Sequence, residues 1–253
     1  MIDATRTTNT RFVVLTSNRT GSTWLMSTLN SHPQVMAQGE LFLPRPRVAE
    51  KRWDSDFARP RYIETRFGRA AIRPFTVFTY LNDLYRTPGA VGFKLMYLQL
   101  ARYPEILGYL LWRRIPVVHL VRRNHLDILV SYAVKAKIGR AHLLSGDKSP
   151  GNLAIELDTR TLIGKLKWLQ KQQDYARRLL RLCRLRHMEI AYDDLVRNHA
   201  RFETILAFLG IPPEAALESR LEKIRKGGHR DVIANYEAVK TTLSASEFAG
   251  LIQ

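Results

Sequence analysis

Apolar runs alternate along this chain with polar loops and with stretches of helical spacing. Arg11-Phe-Val-Val-Leu-Thr16 is apolar and β-branched, which predicts a buried strand. Ser17 to Thr23 follows as a polar loop containing Gly21. Trp24 to Asn30 carries apolar residues at 24, 25, 26 and 29, which predicts a helix stopped by His32-Pro33. Gly92–Tyr97 and Ile115–Val121 predict the second and third strands, with a helix between them opened by Pro104 and running to Arg113. Arg123–Lys137 has apolar positions at 126, 129, 130 and 133, and Asp158 suits the N-cap of a long basic amphipathic helix over Thr159–Arg181. Met188–Tyr192 predicts a short strand, and Phe202–Leu209 a helix closed by Gly210 and Pro212-Pro213. One more helix is expected near Thr76–Tyr85, inside a stretch, 44–90, rich in Arg, Pro and aromatics. Strands alternating with helices predict an α/β fold: a central, mainly parallel sheet between two helical layers, with ligands at the carboxyl ends of the strands.

Composition narrows the function less than the fold. The chain has 253 residues, 40 Lys+Arg against 23 Asp+Glu, and a net charge of +17, so anionic partners are favoured. Nucleic acid, an acidic membrane surface and phosphorylated or sulfated small molecules all satisfy that charge. The lone Cys183 excludes a disulfide framework and a cysteine zinc cluster, and the histidines share no metal-ligand spacing, so no metal site is expected. No apolar leader and no apolar run near the roughly 20 residues needed to span a bilayer is visible, so a cytoplasmic protein is expected.

The most informative stretch is Thr16-Ser-Asn-Arg-Thr-Gly-Ser-Thr-Trp24. A strand feeding a helix through such a loop aims backbone N–H groups and the positive end of the helix dipole at one spot. Gly21 permits close approach, Thr20, Ser22 and Thr23 add hydroxyls, and Arg19 adds a charged fork. That is an anion cradle; an ordinary polar turn is the competing reading. The Gly-Lys-[Ser/Thr] ending of an ATP-cleaving loop is missing, which weighs against a P-loop-like ATP-dependent phosphotransferase.

The loop resembles the 5′-phosphosulfate loop of sulfotransferases that use 3′-phosphoadenylyl sulfate (PAPS), reading here Arg19-Thr-Gly-Ser-Thr-Trp24. Val121-Arg-Arg-Asn-His-Leu-Asp-Ile-Leu-Val-Ser131 is similar to that family's 3′-phosphate motif at the third strand, fitting at Arg123, Asn124, Asp127 and Ser131. Tyr192-Asp-Asp-Leu-Val196, the helix ending in Phe208-Leu-Gly210, and Arg225-Lys-Gly227 resemble further family segments in the same chain order. Gly39-Glu40 and Val121–Asn124 look closest to bacterial carbohydrate sulfotransferases, of the nodulation-factor and trehalose types.

The resemblance implies a P-loop-like three-layer α/β/α fold in one domain over 1–253, with 44–90 as a variable acceptor-binding segment. It implies PAPS as donor and adenosine 3′,5′-bisphosphate as product. The acceptor would be the hydroxyl or amine of a small molecule or carbohydrate, with no metal, no nucleic acid and no stable membrane insertion; dimers occur among related enzymes. Arg19, Thr20, Gly21, Ser22 and Thr23 would hold the phosphosulfate, and Arg123, Ser131, Arg225, Lys226 and Gly227 the 3′-phosphate. For Arg123 an ion pair with Asp127 is the alternative. Trp24 would stack on adenine or else pack as a core aromatic, and Tyr192 would border adenine or else pack at the strand end. Arg19 would stabilise charge on the leaving phosphate. The family's strand histidine is missing from Phe93-Lys-Leu-Met96, so Glu40 is the expected base, with a helix cap or an ion pair to an arginine as its other reading. Lys94 would line the cofactor side or snorkel at the surface. A basic nucleic-acid-binding protein is the alternative function, although no recognisable nucleic-acid motif is present.

Overall fold

The structure is a computed structural model describing residues 9–42, 73–139, 143–144, 154–213, 217–219, 221–222 and 227–252. Arg225, Lys226 and most of the aromatic segment 44–90 therefore lie outside the described residues. The elements, in chain order, are β1 (Arg11–Thr16), α1 (Ser22–Asn30), β2 (Val35–Glu40), α2 (Arg73–Leu84), β3 (Ala90–Met96), α3 (Tyr97–Arg102) and α4 (Glu105–Trp112). Then come β4 (Val117–Val121), α5 (His125–Ile138), β5 (Leu143–Leu144), α6 (Thr159–Leu182), β6 (His187–Ala191), α7 (Tyr192–Arg197) and α8 (Arg201–Leu209). The chain finishes with β7 (Leu221–Glu222), α9 (His229–Val232), α10 (Tyr236–Ser244) and a short 3-10 turn at Ala249–Leu251.

Five strands form one parallel sheet in the order β2-β3-β1-β4-β6, and β5 pairs with β7 in a small antiparallel ribbon. Along β1 the side chains alternate between two cores. Phe12 and Val14 join Leu25, Met26 and Leu29 of α1 and Phe202, Ile205 and Leu206 of α8. Val13 and Leu15 join Val77 and Leu81 of α2, Ile106 and Tyr109 of α4, and Ala176 and Leu180 of α6. Both faces are thus covered, as a wholly parallel sheet requires, and the result is the three-layer α/β/α architecture expected. A third cluster, Leu126, Val130 and Val134 of α5 with Leu162 and Leu166 of α6 and Val239 and Leu243 of α10, seats the C-terminal segment.

The strand order reverses about β1: the chain leaves it for β2 on one side and later crosses to β4 on the other. The carboxyl end of β1 is therefore the place where ligands of such sheets sit. α5 starts where Asn124 accepts a hydrogen bond from the Asp127 N–H, and α6 where Asp158 accepts from the Arg160 N–H. The sequence pattern missed β2, β5 and β7 and the helices α3, α7, α9 and α10; Tyr97 and Tyr192, expected to end strands, open α3 and α7. Glu40, expected just past the first helix, is the last residue of edge strand β2, whose pairing with β3 shifts register between Gln38 and Glu40. That shift passes over Gly39 and sets Glu40 opposite Lys94, so the two side chains share one face.

Candidate active site

The loop from Ser17 to Gly21 turns β1 into α1. Two of its residues have left-handed backbone, Arg19 at φ 63° and Gly21 at φ 80°. At Gly21 a Cβ would lie 2.2 Å from ring carbons of Tyr192, so only glycine fits against that ring. Thr20 turns inward: its hydroxyl donates to the Ser17 carbonyl at 2.9 Å and lies 2.6 Å from the Thr16 hydroxyl. Thr16 in turn bonds the Leu120 carbonyl of β4 at 2.8 Å. Thr20 therefore stiffens the loop from below. Ser22 is buried, and no side chain caps α1 at Gly21, nor is any residue of its first turn acidic. The amides there face no competing carboxylate of their own helix.

The loop residue Arg19 and the motif residue Ser131 meet directly. Arg19 Nε donates to Ser131 Oγ at 2.9 Å, across 112 positions of sequence. Burial holds the Arg19 guanidinium below its ordinary pKa, with Tyr132 opposing and Arg122 adding to that shift. An arginine remains charged regardless, so the shift marks a cation partly withdrawn from water. Tyr132 lies among Asn18, Arg19 and Glu40; burial raises its phenol, while its hydrogen bond to Asn18 and the Arg19 charge oppose.

Glu40 joins this group from β2. Its Oε1 lies 3.1 Å from Lys94 Nζ, and its Oε2 accepts from Gln99 Nε2 at 2.9 Å. Gln99 is fixed by accepting the Met96 N–H, and Lys94 also donates to Thr23 Oγ1 at 3.3 Å. Lys94 is only 7% exposed, so it lines the interior of the site and is no surface lysine. The partner of Glu40 is a lysine rather than the arginine considered from sequence.

Arg123 sits apart. Its side chain is 62% exposed and its fork takes Asp194 with two bonds, 2.5 and 2.8 Å, while its N–H reaches Asp193. The Asp194 hydrogen bond, against a small burial penalty, raises the Arg123 pKa. Asp127 pairs instead with Arg122, Nη2 to Oδ2 at 2.9 Å. Arg122 also donates from Nη1 to the Arg19 carbonyl at 3.3 Å and lies over the Tyr192 ring at 5.1 Å. Its Nε is buried with no hydrogen-bond acceptor among the described residues. The adjacent Arg-Arg pair hid this division of labour: nothing in the sequence says which arginine points inward.

Trp24 packs edge-on against Tyr192 at 5.7 Å and Phe202 at 5.4 Å, half-buried in the layer of α1 and α8. Gly227 precedes α9, where a Cβ would come within 2.9 Å of Asp231. His119 is a bonded core residue: Nε2 lies 2.6 Å from the Tyr97 hydroxyl and Nδ1 3.0 Å from Glu189 Oε2. Among the described residues no group of three or more His, Cys, Asp or Glu is placed to hold a metal ion, and no described helix is long and apolar enough to cross a membrane.

No family model and no curated protein matches the chain. Solved structures are similar at low identity. Mouse sulfotransferase SULT7A1 complexed with PAP matches at 10% identity and a TM-score of 0.45, over 82% of this chain and 60% of that one. The chain thus spans less than two thirds of the mouse protein. A sulfotransferase from Alicyclobacillus acidocaldarius matches at 13% identity and a TM-score of 0.45, over 98% of this chain and 93% of that one. The sulfotransferase domain from the curacin biosynthetic pathway matches at 16% identity and a TM-score of 0.43, over 90% and 83% respectively.

Proposed function

We propose that the chain transfers a sulfuryl group from PAPS to the hydroxyl or amine of a small-molecule or carbohydrate acceptor. One observation carries the reading: the Arg19–Ser131 hydrogen bond, which joins the two anion-binding motifs at the carboxyl end of β1. The donor set suits a polyanionic nucleotide. Arg19, Arg122 and Lys94 converge with the uncapped start of α1. A buried donor without an acceptor costs about 1–3 kcal/mol, and a phosphate oxygen is the acceptor that Arg122 Nε lacks.

In the reaction an acceptor oxygen bonds to sulfur as the bond from sulfur to the 5′-phosphate oxygen breaks. The electron pair leaves on that phosphate, and adenosine 3′,5′-bisphosphate is the product. Arg19 stabilises the growing phosphate charge more than the ground state. It does not supply a proton, since a guanidinium keeps its charge in proteins. Glu40 takes the acceptor proton, held in place by Lys94 and Gln99.

Arg123 reaches the 3′-phosphate by exchanging Asp194 for it. An exposed ion pair contributes little, whereas charge-assisted bonds to a phosphate are stronger. The exchange is therefore favourable. Calorimetry with adenosine 3′,5′-bisphosphate tests the assignment. Micromolar binding is expected, weakened on the order of tenfold in Arg123→Ala. Incubation with labelled PAPS and a panel of sugars, phenols and amines then identifies the acceptor. A protein that binds no bisphosphate and labels nothing is not a sulfotransferase.

A further inference from the structure

We infer that Asp127 ties the C-terminal segment to the main chain of Arg19, making His229 and Asp127 positioning residues that act through Arg122 on the phosphosulfate loop. The inference rests on the sulfuryl-transfer reading and assigns roles that the sequence motifs do not. His229 Nε2 lies 2.9 Å from Asp127 Oδ1. A carboxylate only accepts, so this nitrogen carries the hydrogen. Asp127 Oδ2 accepts from Arg122 Nη2 at 2.9 Å, and Arg122 Nη1 donates to the Arg19 carbonyl at 3.3 Å. All three side chains are shielded, at 4% exposure for His229, 13% for Asp127 and 14% for Arg122. Charge-assisted bonds in such surroundings are strong and hold geometry well.

The grip falls on a backbone that needs it. Arg19, at φ 63°, is one of three described non-glycine residues with positive φ. The other two, Arg114 and Arg184, lie just past the ends of α4 and α6, where left-handed residues are ordinary helix closures. Arg19 has no helix end to explain it. A non-glycine left-handed residue is strained and persists only where its surroundings over-determine it. The Arg122 bond to its carbonyl is such a determinant, and it fixes the loop peptides that face the 5′-phosphate.

At its other end the chain of bonds stops two residues from Gly227, which the sulfuryl-transfer reading assigns to the 3′-phosphate. His229 opens α9 directly after Gly227 and Gly228, and the Gly228 N–H is held by Asp231 Oδ2 at 2.8 Å. Seating the segment that carries Gly227 therefore also seats Arg19. The two ends of the nucleotide are coupled through protein as well as through the ligand.

Two nucleotides separate this role from a local one. Adenosine 5′-phosphate lacks the 3′-phosphate, so support confined to the Gly227 loop cannot affect its binding. Calorimetry on His229→Ala is expected to show both adenosine 3′,5′-bisphosphate and adenosine 5′-phosphate weakened by the same factor, about fivefold. His229→Asn, whose side-chain amide can still donate to Asp127, should return both to within about twofold of the native protein. Asp127→Asn keeps the size of the side chain but has one accepting oxygen for the two donors His229 and Arg122, and should repeat the equal loss. Losses confined to the bisphosphate, no loss for either nucleotide, or a failure of asparagine to rescue would each overturn the inference. Should His229→Ala prove unfolded in a thermal melt, Asp127→Asn still decides between equal and unequal losses. A native protein that binds neither nucleotide sinks the sulfuryl-transfer reading itself.

Discussion

On the proposed reading, Arg19 and Glu40 divide the work of a site built from both charges. Arg19 is a cation partly stripped of water and steered by Ser131. In a site of low effective dielectric, such a charge acts most on charge that develops during reaction. Arg19→Ala should therefore lose rate more than affinity: roughly a 100-fold slower single turnover with labelled PAPS, against a bisphosphate affinity changed by only a few-fold. A near-native single-turnover rate would remove Arg19 from the reaction. Glu40, braced by Lys94 and Gln99, holds its oxygens in one orientation. Glu40→Gln preserves shape and removes the basic oxygen, so bisphosphate affinity should stay native while turnover falls roughly tenfold or more. Unchanged turnover would place the base elsewhere. The motif residues were legible because their chemistry is local: a loop, a glycine, an arginine and hydroxyls within one short stretch. Their partners were not. Ser131 meeting Arg19, Lys94 meeting Glu40 and Asp194 taking Arg123 are contacts between distant segments, which no spacing rule records.

Elements were predicted best where one face or both faces are buried. β1 was read over the span it occupies, and the long helix α6 began at the expected Asp158 cap, because an apolar run and a capped amphipathic period are strong signals. β2 escaped because Val-Met-Ala-Gln-Gly-Glu is a short edge strand, polar at its end and irregular at Gly39. Between elements, a polar chain crosses the sheet layer: Arg177 of α6 holds Glu189 of β6 with two bonds, and Glu189 faces His119 of β4, which meets Tyr97 of α3. Burial alone would raise the Glu189 carboxyl, but the hydrogen bonds and charges of His119 and Arg177 outweigh it and bring its pKa from 4.5 down to about 2. A depressed carboxylate stabilises the fold fully above its unfolded value and loses that contribution as pH falls through the folded one. Glu189→Gln should therefore melt at lower temperature than the native protein near neutrality, and the gap should close between pH 4.5 and 2. A gap that is constant across that window would show that Glu189 contributes by packing and not by charge.

At the scale of the whole molecule, the excess of cations has to be separated from the few proposed to touch the nucleotide. The net charge is +17, yet many contributors, such as Lys171 and Arg178 on α6, stand exposed in solvent. Charges separated by more than a Debye length, about 8 Å at physiological ionic strength, are largely screened from each other. The global field speeds encounter with a polyanionic nucleotide but does not hold it. The association rate of adenosine 3′,5′-bisphosphate should consequently fall steeply as salt rises, in stopped-flow mixing, while dissociation changes less. Two charge reversals of equal size separate the scales. Lys171→Glu on the solvent face of α6 should slow association by less than about twofold at physiological salt. Arg123→Glu places repulsion at the second anion site and should accelerate dissociation roughly tenfold or more. Equal effects from the two variants would mean that the nucleotide responds to net charge alone. A basic surface that held polyanions without a built site would behave in that way, and oligonucleotides would then compete with the bisphosphate on equal terms.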